Sequence, residues 1–331
     1  MFEIRITENE EGQRLDRFLR KYLKEYPLGE IYKLFRKNKV KVNGKREKEN
    51  YMLTAGDTLQ LYMAMSEQDT DRKKVLKPGT TKSLDIIHED DNIIIANKPA
   101  GLLTHPDKPG DTDTLVDRAL YHIYKNRTAE DSLTFTPAVC NRLDRNTGGI
   151  VIVAKNYKSL KAINHSIRDR SIRKLYLCIV AGRMNKSGEI RGYLQKDEES
   201  NKASVLNRKE ADSKEIHTIY KTLCVSRPLK TLDKSFSLLE VELVTGRSHQ
   251  IRAHLASLGH PIIGDAKYGD NRINDWFRRE YRLEHQFLYA YKVEFKEVHE
   301  DAAYLGNKSF ECKLPKNLSN IADTLFGMGE C

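Results

Sequence analysis

Asn141-Arg142-Leu143-Asp144-Arg145-Asn146-Thr147-Gly148-Gly149-Ile150-Val151-Ile152-Val153 runs from a charged, glycine-containing turn straight into an apolar segment of strand length. Four consecutive aliphatic residues after a turn signal read as a β-strand, here Gly149 to Val153. Similar runs lie on either side: Ile93 to Ile95, Leu175 to Val180, Ile216 to Cys224 and Phe236 to Val244. Over residues 83–331, residues 114–125, 157–169 and 247–258 read as helices. Strands outnumber helices and do not alternate with them regularly. This predicts an α+β fold over residues 83–331, a mainly antiparallel mixed sheet flanked by helices.

Upstream the pattern changes. Leu15, Phe18, Leu19, Tyr22 and Leu23 recur at three- and four-residue spacing, and Ile31, Leu34 and Phe35 repeat the pattern after the Pro27 and Gly29 break. Val40-Lys41-Val42 alternates as a strand, Asn43-Gly44 signals a tight turn, and Leu59 and Leu61 follow Gly56-Asp57. Two helices followed by small strands are therefore expected in a first domain, residues 1–62. Residues 63–82 are polar and include Pro78-Gly79, the composition of a flexible linker. Between Lys33 and Lys48 the first domain carries eight Lys or Arg (33, 36, 37, 39, 41, 45, 46 and 48) against the single acid Glu47. Arg14 to Leu19, the second helix, Val40 to Lys45 and Gly56-Asp57 together resemble the S4-like RNA-binding domain. That resemblance implies phosphate contacts from Lys33, Arg36, Lys37, Lys39, Lys41, Lys45 and Arg46.

The whole chain of 331 residues is 39% hydrophobic and 31% charged, which excludes a disordered polypeptide, and its formal net charge of +10 suits a polyanionic partner. The aliphatic runs are far shorter than a membrane span, and the acidic, apolar-poor start is unlike a signal peptide. No membrane association and a cytoplasmic location are expected. The five cysteines (140, 178, 224, 312 and 331) contain no C-x-x-C pair, against zinc ribbons and a disulfide framework. Neither G-x-G-x-x-G nor a Walker glycine loop occurs, so no dinucleotide or P-loop nucleotide cofactor is expected.

Two segments carry chemistry. In the first, Arg142 and Arg145 flank Asp144, and adjacent cations favour an ionised carboxylate that can act as nucleophile or base. From these residues alone, a surface ion cluster at a strand entry is an equal alternative. The second runs from Thr245-Gly246-Arg247-Ser248-His249-Gln250-Ile251-Arg252-Ala253-His254 through His260 and Asp265 to Gly269. Three histidines and an aspartate suggest a metal, but His249 and His254 are five residues apart, about 140° around a helix, and do not form an i, i+4 pair. No metal is expected.

Asn97 to Leu103, Arg142-Leu143-Asp144 with Thr147 and Gly149, Lys174-Leu175-Tyr176 leading to Gly182, and Gly246 to Gly269 resemble, in order, the RluA-type pseudouridine synthase family. The resemblance spans residues 85 to about 270, and a preceding S4-like domain is also a family arrangement. It implies an RNA uridine isomerase that flips its target, breaks the C1′–N1 bond and rejoins the base through C5 with no cofactor. By position it makes Asp144 the essential aspartate, Tyr176 the tyrosine packed on the target base, and Arg247 the arginine paired with the carboxylate. Arg142 would fill the space left by the displaced base, and Arg145 would add a phosphate contact. The chain departs from the pattern where Asn141 stands for His, Gly148 for Ser and Tyr289 for His, and a proline after Phe295 is absent. The implied substrate is large-subunit ribosomal RNA, with transfer RNA as the alternative, and a monomer is expected. A non-catalytic ribosome-assembly factor would use the same RNA grip. Glycoside hydrolysis is disfavoured because it needs two opposed carboxyl groups. The polar stretch 184–215 reads as a loop that helps choose the target, and its composition suits an exposed insertion equally well.

Overall fold

A computed structural model describes residues 1–63, 80–125, 133–184, 187–197 and 202–327. They form two sheets with separate apolar cores. The first is four-stranded, order β1-β4-β2-β3, from β1 (Phe2–Arg5), β2 (Val40–Val42), β3 (Lys45–Arg46) and β4 (Thr58–Leu61). Against it pack α1 (Leu15–Tyr22) and α2 (Leu28–Arg36), which bury Leu15, Phe18, Leu19 and Ile31. The expected order of two helices before the strands is thus incomplete. β1 precedes them, because Phe2 to Arg5 pairs with β4 only across the length of the unit, from Phe2 opposite Leu61 to Arg5 opposite Thr58.

The second sheet is mainly antiparallel, in the order β11-β10-β12-β13-β9-β14-β8-β6-β5, with β15 added to β14 and β7 to β8. Its strands are β5 (Ile86–Glu89), β6 (Ile93–Lys98), β7 (Ala138–Val139), β8 (Gly148–Ala154), β9 (Ile172–Ala181), β10 (Gly188–Asp197), β11 (Lys202–Leu206), β12 (Lys214–Val225), β13 (Phe236–Leu243), β14 (Leu288–Phe295) and β15 (Ser309–Glu311). The helices are α3 (Leu115–Lys125), α4 (Tyr157–Arg168), α5 (Gln250–Ser257), α6 (Asn271–Tyr281) and α7 (Lys316–Phe326). Among the strands named here one pairing is parallel: β8 and β14 meet at Gly148 opposite Tyr289 and Gly149 opposite Ala290.

The unbroken apolar run of β8 follows from burial on both faces. Val151 and Val153 enter a core with Leu115, Ala119 and Ile123 of α3, while Ile150 and Ile152 enter another with Ala162 and Ile163 of α4. Each such side chain taken fully out of water contributes roughly 1.5–3 kcal/mol before entropy is counted, so β8 is anchored in two cores at once. The stretch expected to be a loop or an exposed insertion, 184–215, instead holds β10, β11 and the start of β12. Leu194, Ala203 and Ile216 bury a small core against Ala253 of α5.

The proposed linker, 63–82, lies largely outside the described residues. At its described ends, Met63 packs on the small core and Lys82 pairs with Asp113 at 2.8 Å. The β1–α1 loop touches the large unit. Glu10, fully buried, accepts from the backbone N–H groups of Leu133 and Thr134 at 3.2 and 3.0 Å, and Asn9 accepts from that of Tyr157 at 3.2 Å. Among the described residues, Cys140, Cys178 and Cys312 are free.

Candidate active site

The turn entering β8 is held from beneath. Thr104 donates to the Leu143 carbonyl at 2.9 Å and accepts from the Leu143 N–H at 3.2 Å. Lys98, wholly buried at the end of β6, donates to the carbonyls of Leu102, Arg145 and Pro99 at 2.6, 3.0 and 3.1 Å. Three acceptors match the three N–H groups of an ammonium. Burial pushes the Lys98 amine down to about 7, against the opposing pull of Asp144. The Thr147 N–H closes the turn on the Asp144 carbonyl at 3.1 Å, and Gln286 donates to the Thr147 hydroxyl at 3.1 Å.

Facing this turn is α5. It begins at Gln250, after His249 in the left-handed region (φ 60°), rather than at residue 247 as expected. The Gln250 amide oxygen accepts from the Thr245 hydroxyl at 2.8 Å and the Arg247 N–H at 3.1 Å, which leaves Arg247 in the turn before the helix. The third residue of α5, Arg252, reaches Asp144: Nη1 lies 3.0 Å from Oδ2. Its Nε and Nη2 grip Asp265 at 2.7 and 2.8 Å, and the guanidinium lies 5.3 Å from the centre of the Tyr268 ring. Tyr268 touches His249 (Nδ1 to Oη 3.1 Å) and accepts from the Ala203 N–H of β11 at 2.7 Å. His249 Nε2 is 3.9 Å from Asp144 Oδ2. Both contacts to Asp144 fall on Oδ2, so Oδ1 is the oxygen outside them.

The side chains of Arg252 and Asp265 are 7% and 0% exposed, while that of Asp144 is 21% exposed, so the chain of charges runs from the interior to the mouth of a cleft. Burial works to lower the Arg252 pKa, but the hydrogen bonds and charges of Asp265 and Asp144 overcome it and raise it. Burial raises Asp265, and the Arg252 hydrogen bonds and charge outweigh it and hold the carboxyl below its usual range. Burial also lowers His249, with Asp144 opposing and Arg252 reinforcing, which favours a neutral imidazole. Tyr176 of β9 lines the cleft from the core side. Burial first, then the Asp144 charge, raises its phenol well above the usual range.

Asp144, Tyr176, Arg142 and Arg247 all line this cleft, together with His249 and Arg252. The expected pairing of Arg247 with the carboxylate is corrected. Arg247 is exposed at the cleft mouth, and Arg252 makes the ion pair. Helix geometry is the reason, since α5 starts three residues after Arg247 and directs its third residue at Asp144. The available signal was Asp265, the acid in the same segment, which a buried arginine needs as a second partner. Arg145 is exposed and donates to the Gly101 carbonyl at 3.3 Å. The four residues that suggested a metal have separate partners: His249 Tyr268, His254 the Thr218 hydroxyl at 2.8 Å, His260 the Ala181 carbonyl at 2.9 Å, and Asp265 Arg252.

On the small unit, Lys33, Arg36, Lys37, Lys39, Lys45 and Arg46 are exposed and Lys41 is half-buried, all on α2, β2, β3 and their connections. β3, which carries Lys45 and Arg46, is an edge strand of the small sheet.

Residues 92–257, half of the chain and the span that carries Asp144, Tyr176 and Arg252, match the RNA pseudouridylate synthase family, and residues 13–59 match the S4 domain. The chain belongs to the RNA pseudouridylate synthase family. It is an RNA pseudouridine synthase with an S4 domain. It is 31% identical over 322 residues to the ribosomal large subunit pseudouridine synthase C of Vibrio parahaemolyticus, covering 96% of this chain and 95% of that one. An uncharacterized RNA pseudouridine synthase of Mycoplasma genitalium is 30% identical, covering 88% of each chain. Among solved structures, human RNA pseudouridylate synthase domain containing 4 superposes with a TM-score of 0.53 at 22% identity, over 76% of this chain and 96% of that one. Human RNA pseudouridylate synthase domain containing 1 gives 0.51 at 19%, over 74% and 97%. At these identities the likeness is one of fold. In this synthase the cleft thus holds a partly exposed carboxylate fixed by a buried guanidinium, beside a neutral phenol.

Proposed function

We propose that this synthase isomerises specific uridines in large-subunit ribosomal RNA, with Asp144 as the indispensable group. The observation that carries the reading is the Asp265–Arg252–Asp144 chain, which aims one carboxylate into a cleft floored by Tyr176. Isomerisation breaks C1′–N1, turns the detached uracil and joins C1′ to C5, with the C5 proton lost and N1 protonated. No electrons are exchanged and no atom is added, so a carboxylate in fixed orientation and a surface that retains the base suffice. A phenol held neutral by burial does not accept a proton at neutral pH. In this reading Tyr176 presents a flat face to the uracil.

Arg142 lines the cleft and is exposed at its rim, so in this reading it moves aside as the base enters. Flipping the base out of a helix costs roughly a few kcal/mol. That energy comes from phosphate contacts along Arg142 and Arg145 and along the Lys33–Arg46 edge of a separately folded RNA-gripping domain, residues 1–62. The names of the relatives favour ribosomal RNA, and the enzyme would meet it in the cytoplasm as a monomer.

The test is pseudouridine mapping of total RNA from cells with and without the gene, with rescue by wild type or Asp144→Ala. Ribosomal sites that vanish and return only with the wild type support the proposal. Loss of transfer-RNA sites alone redirects it to that substrate. Restoration by Asp144→Ala would favour a binding factor over this catalyst.

A further inference from the structure

We propose that Tyr289 is a positioning residue for the reaction, a wedge whose ring against Gly148 fixes where the Asp144 turn leaves the sheet. The inference rests on the catalytic reading of Asp144 and adds a residue that never touches substrate.

The two residues face each other across the parallel pairing of β8 and β14. A Cβ on Gly148 would lie 2.9 Å from Cε2 and 3.1 Å from Cδ2 of Tyr289, and 3.2 Å from the Lys98 carbonyl oxygen. The next residue offers a useful contrast. Gly149 has φ 114°, and its Cβ would meet the Ala290 carbonyl oxygen at 2.2 Å, so backbone conformation and backbone contact alone require glycine there. Gly148 is not among the residues of positive φ. Its conformation is open to any L-residue, and the tightest obstacle to a side chain is the Tyr289 ring. Both are also positions where the chain departs from the pattern it otherwise resembles, and the departures turn out to be opposite one another.

The ring is not free to retreat. Tyr289 is 2% exposed, and its hydroxyl donates to Asn97 Oδ1 at 2.8 Å. Asn97 is itself held, donating to Asp85 at 2.8 Å. Beyond the ring lies a cavity of about 800 Å³ bordered by Asn97, Lys98, Asn146 and Gly148, into which an untethered ring would swing. On the other side only Arg145, Asn146 and Thr147 separate Gly148 from Asp144, and the Thr147 N–H is bonded to the Asp144 carbonyl. A displacement of the strand entrance by a few tenths of an ångström therefore reaches the carboxylate through a closed turn with little slack.

The experiment places Gly148→Ala in three backgrounds: wild type, Tyr289→Phe, which keeps the core filled but releases the Asn97 tether, and Tyr289→Val, which removes the ring. Single-turnover pseudouridine formation is measured on total RNA from cells lacking the gene, with RNA affinity measured in parallel. In the wild-type background Gly148→Ala should lower the rate of the chemical step about tenfold or more while affinity stays within about twofold. With either Tyr289 variant the same change should cost less than about twofold, the signature of a pair coupled by contact. An equal cost in the wild-type and Tyr289→Phe backgrounds overturns the wedge even if Tyr289→Val proves unstable. A lowered melting temperature with an unchanged rate also overturns it, since mere packing predicts that result. Asp144→Asn runs alongside. If that variant stays active, the catalytic reading fails whatever the glycine series shows.

Discussion

Two groups of cations in the synthase are built in opposite ways. On the small unit, Lys33, Arg36, Lys37, Lys39, Lys45 and Arg46 stand in solvent on a short helix, the turn after it and a two-residue strand. Around Asp144, Arg252 and Lys98 are buried, and each is committed to several fixed acceptors. Solvated charges attract phosphates over a Debye length and are weakened by salt. Buried charges are screened far less and set distances. The same residue types thus supply affinity in one region and geometry in the other.

The sharpest way to break this contrast is at the buried end. Arg252→Met should leave Asp265, with no exposed side-chain surface, as an uncompensated charge and cost about 3–5 kcal/mol of stability. Any folded fraction should lose about 100-fold in turnover, because Asp144 is no longer held in line. Arg252→Lys keeps the charge but loses the two-pronged grip, and should fall between wild type and Arg252→Met. Arg247→Met, at the exposed mouth, should retain stability and weaken RNA binding more than turnover. Turnover and urea midpoints of the three variants decide the matter. If Arg247→Met alone abolished turnover, the assignment of Arg252 as the orienting cation would be wrong.

The exposed end predicts a smaller effect of a different kind. Replacing Lys37, Lys39, Lys45 and Arg46 together with glutamine should leave single-turnover chemistry at saturating RNA unchanged. It should flatten the plot of log affinity against log salt by about three, close to 0.7 for each of four single-strand phosphate contacts. An unchanged slope would place the RNA grip elsewhere, on Arg142, Arg145 or the β10–β11 hairpin.

What could be read from the sequence divides along the same line. The strand β8 and the α+β class were legible because burial on both faces leaves an unbroken apolar run, Ile150 to Val153. β10 and β11 were not: they lie at the sheet margin, and Glu189, Arg191, Lys202 and Ser204 point to solvent, so their composition matches that of a loop. β1 was missed because its pairing partner is more than fifty residues away. Asp144 and Tyr176 stood out through ordered motifs. The Arg252–Asp144 pair did not, because nothing local distinguishes Arg247 from Arg252, and the choice is made by a left-handed residue, His249, that delays the helix. Lys98 lay within the resembling motif Asn97 to Leu103, but no role was legible for it, since only the folded chain brings the Arg145 carbonyl to it.

Lys98 extends the contrast to a group whose charge responds to pH. Its amine is pushed from the ordinary 10.5 down to about 7 by burial. Between those values the unfolded chain holds a proton that the folded chain has released, so raising the pH favours the folded state. Below about 7 both states are protonated and the full cost of burying the ammonium is present. The wild type should therefore gain stability relative to Lys98→Met as pH rises from about 7 to about 10, with the steepest change at the lower end for turnover and a steady slope for stability. Turnover responds because a neutral amine has two N–H groups for three carbonyls, so one tether of the Asp144 turn is lost. Urea midpoints of both proteins across that range provide the measurement. A constant difference would mean that three carbonyls hold the ammonium charged throughout, making Lys98 as permanent a cation as Arg252.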